Sequence, residues 1–252
     1  MKILTRGTRP CAAAVLFAFF TNPAIAANPE QVQDLGPKKA ETSVQYVGQL
    51  ADAKATDEPR EHSLQLLHGL SDNLVFGGEF QSSYRSGPEV RDGFGVDYGS
   101  IVAIVRFSDA EEDPIGAGLW LQAGLDTDGE LATLESRLIL EKKTEDWQLN
   151  GNVIIRRVND EQEEGSYLGY SARASKSLTK SLWLGLESSG QLARLGGFHK
   201  QPFDGAIYVG PSVFYDGKIG GNEASFGLSY LRRIDEDEPL RDVFQLSAEM
   251  SF

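Results

Sequence analysis

The sequence predicts an all-β chain: a single closed antiparallel up-and-down transmembrane β-barrel of about 12 strands. Three observations carry this. Apolar residues recur with a period of two from residue 42 to the C-terminus, the first 26 residues form an export signal, and the last strand is apolar on alternate positions up to a terminal Phe252. A period of two places successive side chains on opposite faces of a strand, whereas a helical face needs a period near 3.6.

The last strand shows the pattern best. Phe244, Leu246, Ala248, Met250 and Phe252 share one face, and Val243, Gln245, Ser247, Glu249 and Ser251 share the other. The same alternation sets Leu134, Ser136, Leu138 and Leu140 against Glu135, Arg137, Ile139 and Glu141, and Trp147, Leu149, Gly151, Val153 and Ile155 against Gln148, Asn150, Asn152, Ile154 and Arg156. Strands are predicted at roughly 42–50, 61–70, 73–85, 97–107, 114–124, 131–142, 147–158, 166–178, 181–194, 205–215, 223–233 and 241–252. A soluble sandwich would bury the apolar face against a second sheet. An unbroken run of strands near the ~9–11 residues that cross a tilted bilayer instead suits a barrel, which satisfies every backbone group without an edge.

Connection lengths test this, because barrels of this type keep one end short and the other long. The connections at 71–73, 144–146 and 179–180 are short, while 51–60, 86–96, 159–165, 195–204 and 234–240 are longer and more polar. Three do not fit: 108–113 and 216–222 are long on the short side, and 126–130 has five residues on the long side. Pro211 inside strand ten removes a ladder donor and predicts a bulge or local break.

The signal comprises Lys2, Arg6 and Arg9, the apolar run 12–20, and Ala24-Ile25-Ala26, with cleavage expected near Ala26. The run is about half the ~20 residues of a spanning helix. Residues 27–41 read as a short periplasmic N-terminal tail, and 42–252 as the barrel. The chain of 252 residues has 24 Lys and Arg against 37 Asp and Glu, a net charge of -13, which becomes -16 without the signal's three cations. No basic stripe is present, which argues against nucleic acid. Mean hydropathy of -0.29 argues against a helical membrane protein. The sole cysteine, Cys11, lies in the signal.

The final strand resembles the C-terminal signature that the barrel-assembly machinery recognises in Gram-negative outer-membrane proteins, through Phe244, Leu246, Met250 and Phe252. At finer grain, Leu138-Ile139-Leu140-Glu141 leading into Asp146-Trp147, and Val209-Gly210-Pro211-Ser212, resemble uncharacterised transporter-like proteobacterial barrels. The resemblance implies an outer-membrane location, with outer-membrane lipid, lipopolysaccharide and the assembly machinery as partners. It supplies no catalytic or binding residues.

With the apolar parity facing lipid, the lumen receives Glu79, Arg106, Trp120, Glu135, Arg137, Arg156, Arg173, Glu187, Arg233 and Glu249, together with Gln81, Gln122, Glu141 and Gln191. Two readings are open. The charges pair across a narrow lumen and plug it, or they line an aqueous path and orient a small polar solute. The first reading gives a non-conducting structural or interaction barrel with acidic surface loops; the second gives a passive channel. The proposed outer loops carry -13 of the -16, with runs at 160–164 and 235–238. These could bind divalent cations but read more simply as solvated tips. The segment 126–130 holds only part of a calcium loop. No histidine is followed by serine two positions on, His62 and His68 are too far apart to share a metal, and His199 near Asp204 is a lone loop histidine, so neither an enzyme nor a cofactor is expected. Phe107, Trp147, Phe214 or Tyr215, and Phe252 are expected as an interfacial girdle.

Overall fold

A computed structural model describes residues 30–51, 61–87, 90–159, 163–199, 205–234 and 242–252. The signal 1–26, and the acidic runs apart from Glu163 and Glu164 at the start of β8, lie outside the described residues. Twelve strands close into one antiparallel barrel in which each pairs with its chain neighbours and β1 pairs with β12. They are β1 (Thr42–Ala51), β2 (Glu61–Ser71), β3 (Leu74–Gly87), β4 (Val90–Ser108), β5 (Gly116–Leu125), β6 (Leu131–Lys143), β7 (Trp147–Asn159), β8 (Glu163–Ser177), β9 (Leu182–His199), β10 (Ile207–Ile219), β11 (Asn222–Arg233) and β12 (Asp242–Ser251).

Every predicted strand is present, and the differences lie at the ends. β4 begins at Val90 rather than near 97, and β9 runs on to His199, so both project well past the length a bilayer requires. β10 continues to Ile219, leaving Gly220 and Gly221, both at positive φ, as a tight turn in place of the longer 216–222 connection. The segment 109–115 stays long, and its carboxylates fold it: Asp109 Oδ1 accepts from the Glu111 backbone N–H at 2.7 Å, and Asp113 Oδ2 accepts from Asp109 N–H at 3.0 Å. In the turn 126–130, Asp126 Oδ1 accepts from the N–H groups of Asp128 and Glu130 at 2.9 Å each, a local turn-closing role. Pro211 interrupts the β10–β11 ladder without shifting its register, since Tyr208 pairs with Arg233 and Ser212 with Ser229 across the gap. That is the predicted local break, without a bulge.

The apolar parity faces outward. Phe80 and Ile101 are 59% and 61% exposed, and Leu138, Leu149, Leu186 and Leu246 are also exposed along the wall. An apolar belt this large has no place in water and fits hydrocarbon surroundings. Phe107, Trp147, Tyr215 and Phe252 are exposed at the short-turn end, as the girdle requires. Phe214 does not join them: it turns inward, beneath the Arg173 guanidinium at 4.4 Å. An even strand count brings both ends of the barrel chain, Thr42 and Ser251, to this short-turn rim.

Candidate functional site

The ten charged and aromatic lumen candidates all carry the inward parity. Arg106, Trp120, Glu135, Arg137, Glu187 and Arg233 are buried. Glu79 accepts a hydrogen bond from Gln65 Nε2 at 3.0 Å, Arg156 pairs with Glu135, Arg173 lies 3.9 Å from Glu187, and Glu249 sits opposite Gln45. The lumen is not uniformly polar. Leu67, Val75, Val102, Ile104, Trp120 and Ile139 form an apolar strip across β2 to β6, all under 5% exposed.

The strip is covered by the chain's own N-terminal segment. Of the stretch 27–41 expected as a periplasmic tail, residues 27–29 lie outside the described residues and 30–37 enter the barrel, with Glu30, Gln33, Leu35 and Pro37 buried. Leu35 joins the apolar strip, a contact on the order of 1.5–3 kcal/mol for a fully buried leucine. The physical reason for the difference is that twelve strands enclose more space than their own side chains fill, as eight strands just manage.

The segment is extended, and barrel side chains hold its backbone at alternate residues. Arg137 donates to the Gln31 carbonyl at 2.8 Å, as does Ser171 Oγ at 2.8 Å. Asn152 pairs reciprocally with Gln33, its Oδ1 accepting from N–H at 2.7 Å and its Nδ2 donating to the carbonyl at 3.0 Å. Glu141 accepts the Leu35 N–H at 2.7 Å. Arg106 donates to three successive carbonyls, Leu35 at 2.9 Å, Gly36 at 2.7 Å, and Pro37. Buried backbone groups need partners, and here polar lumen residues supply them in place of a strand ladder.

At the rim the segment hooks onto β2. Ala40 N–H donates to the Gly69 carbonyl at 2.7 Å and Gly69 N–H to Glu41 at 2.9 Å. A Cβ at Gly69 would stand 1.9 Å from the Lys38 carbonyl oxygen, so the crossing needs glycine there. Lys38 bonds Glu111 in the acidic 109–115 turn, which gives that turn a role on the short side of the barrel. The hydrogen bond and charge of Glu111 raise the Lys38 pKa above its ordinary 10.5. The pair therefore contributes fully below that value and is lost as pH rises through the raised one. Both side chains are more than half exposed, and such pairs are worth only about 0–1 kcal/mol. Lys38→Met is expected to change protease access to residues 30–37 by less than about fivefold, within that range; limited proteolysis of the purified barrel measures this.

Deeper in, four charges form a square. Glu135 accepts from Arg137 and, at 2.5 Å, from Arg156 Nε, while Glu30 Oε2 lies 2.7 Å from an Arg156 terminal nitrogen and 3.5 Å from one of Arg137. Burying charge is costly unless it is paired and hydrogen-bonded, and the square meets both conditions. Across the lumen, a cavity of about 30 Å³ between the segment's Gln31 and Val32 and the wall residues Arg173, Glu187, Phe214 and Gln245 holds no more than a few waters. Val75, Ile104, Ile139 and Ile154, at four points on the inner wall, are 0–1% exposed.

Sequence parity finds the wall, with Asn152 and Ser171 on its inward face, but misses the occupant, and with it Glu30, Gln31, Gln33 and Leu35. The usable signal is the run of apolar lumen positions on β2 to β6, which needs cover. No cluster of three His, Asp or Glu side chains placed to hold a metal occurs among the described residues. The assembly-signal candidates Phe244, Leu246, Met250 and Phe252 lie on the lipid-facing parity.

The fold defines the class: a closed, twelve-stranded antiparallel barrel of the architecture seen in solved outer-membrane barrels. The chain is similar to the COG4313 outer membrane channel from Pseudomonas putida F1, with a TM-score of 0.61 and 16% identity over 90% of this chain and 100% of that one. It is also similar to the NanC porin, with a TM-score of 0.55 and 8% identity over 82% of this chain and 98% of that one. No protein-family model and no curated protein matches the sequence.

Proposed function

We propose that the chain is a passive outer-membrane channel for a small polar or charged solute, seen in a closed conformation in which residues 30–37 fill the lumen. The observation that carries this is the nature of the obstruction. The lumen is filled by a segment outside the barrel's strand ladder, held by wall side chains, and its departure would uncover the polar wall residues Arg106, Glu141 and Asn152 that now bond its backbone. The fold shared with outer-membrane channels supports the location, as does the export signal expected to end near Ala26. The outward faces of Phe244, Leu246, Met250 and Phe252 suit recognition by the assembly machinery and contact with lipid and lipopolysaccharide.

Deletion of residues 30–37 is expected to give stable conductance steps in planar bilayers, with the intact chain closed at low voltage. An absence of steps from both proteins under every ionic condition would sink the channel reading. It would leave the second one, a non-conducting structural or interaction barrel, which the pairing of Glu135 with Arg137 and Arg156 within the wall itself favours.

A further inference from the structure

We propose that Arg137 and Arg156 form a binding site for a small organic carboxylate, and that Glu30 occupies it as a stand-in from the chain itself. The inference rests on the reading of residues 30–37 as a displaceable segment. Within the square, the two arginines and Glu135 belong to the barrel wall, on β6 and β7, while Glu30 belongs to the segment. Within the square the wall thus supplies two guanidiniums and one carboxylate, while the neighbouring wall carboxylate Glu79 is held by Gln65 rather than by either arginine.

The directions of the donors define what the site accepts. Glu135 takes Nε of both arginines. Their terminal nitrogens point to the other side, where Arg156 meets Glu30 at 2.7 Å and Arg137 approaches it at 3.5 Å. A second acceptor position lies beside the first, where the Gln31 carbonyl receives Arg137 at 2.8 Å and Ser171 Oγ at 2.8 Å. Planar guanidinium forks match carboxylates in this way, and a buried guanidinium left without its anion is strongly unfavourable. When Glu30 departs, the site is complete for a carboxylate that carries a second acceptor oxygen, and an incoming anion restores the charge balance. Arg137 and Arg156 thereby become the selective point of the path.

The test uses the full chain refolded in detergent, with succinate as probe and succinamide and inorganic phosphate as comparisons, read by titration calorimetry. Glu30→Ala is expected to bind succinate at least tenfold more tightly than the native chain does, with succinamide not bound and phosphate at least tenfold weaker. Adding Arg156→Gln to Glu30→Ala should abolish binding, whereas adding Arg173→Gln, at a position further along β8 opposite Asn150 and beside Glu187, should leave it within threefold. A heat-modifiable gel shift establishes that each variant is folded, and Arg156→Lys, which keeps the charge but not the fork, takes the place of Arg156→Gln if that one misfolds; it should weaken succinate at least tenfold. Equal succinate binding by native chain and Glu30→Ala, equal affinity for phosphate, or binding that survives the Arg156 change each overturns the assignment. The measurement needs no conductance. Succinate binding without channel activity discards the channel and keeps the site, and channel activity without succinate binding does the reverse.

Discussion

Arg106→Ala should open the barrel. This one side chain supplies hydrogen bonds to the carbonyls of Leu35, Gly36 and Pro37, the three residues by which the segment passes from rim to lumen. Each bond to a charged donor is worth about 1.5–3 kcal/mol, and a buried carbonyl that loses its donor keeps its desolvation cost. The three share one guanidinium and do not add in full, so about 3 kcal/mol is a conservative total; at 1.4 kcal/mol per tenfold, the closed state loses more than 100-fold of its advantage. The expected result is a rise in open probability of that order in planar bilayers, with increased labelling of a Leu35→Cys reporter. Arg106→Lys should fall between, because an ammonium offers charge without the planar fork that reaches successive carbonyls. Unchanged conductance and unchanged labelling in Arg106→Ala would mean that the segment is held by something other than these contacts.

Removal of Phe252 should deplete the outer membrane of the protein at least tenfold while leaving the refolded barrel nearly as stable as before. The residue has two separable parts. Its backbone forms the last rung of the seam, Phe252 N–H donating to the Thr42 carbonyl at 2.9 Å and Thr42 N–H returning to Phe252 at 3.2 Å. The residue as a whole is 54% exposed, with its ring on the outward parity of β12. Two hydrogen bonds are worth about 1–3 kcal/mol together, a small part of a seam paired from Ser43 with Ser251 to Ala51 with Val243. The larger effect belongs to the ring, through recognition during assembly. Quantitative blotting of outer-membrane fractions, beside thermal unfolding of the refolded truncation, separates the two. Normal membrane levels of the truncated chain would remove the assembly role, and Phe252→Tyr should preserve those levels.

The barrel was legible because its physics is periodic: hydrocarbon outside and a filled interior force alternation at nearly every strand position, as at Leu134 to Glu141. Strand ends were harder to read where the ladder outlasts the bilayer. Val90 to Val96 and Asp216 to Ile219 pair as strands, yet Asp92 interrupts the apolar alternation in the first and Gly217 in the second, so the alternation signal weakens before the hydrogen bonding stops. The lumen-facing side chains followed from the same parity. What fills the lumen did not, because Gln31, Gln33, Leu35, Gly36 and Pro37 are gripped by their backbone groups, which every residue type carries. Only Leu35 announces itself, and then only against the apolar strip that Leu67, Val75 and Ile104 present.

The hook at Gly69 has a concentration consequence. An extended run from Glu30 to Thr42 reaches at most roughly 40 Å, so Glu30 can never diffuse away from the mouth through which it leaves. A ligand tethered on so short a chain is present at an effective concentration of millimolar order. Under the proposed reading, a free carboxylate of affinity similar to Glu30's must reach that range before it holds Arg137 and Arg156 for half the time. The barrel would then stay shut in dilute surroundings and open in proportion to supply, with the threshold set by tether length. Lengthening the run between residues 37 and 42 lowers it, and shortening that run raises it.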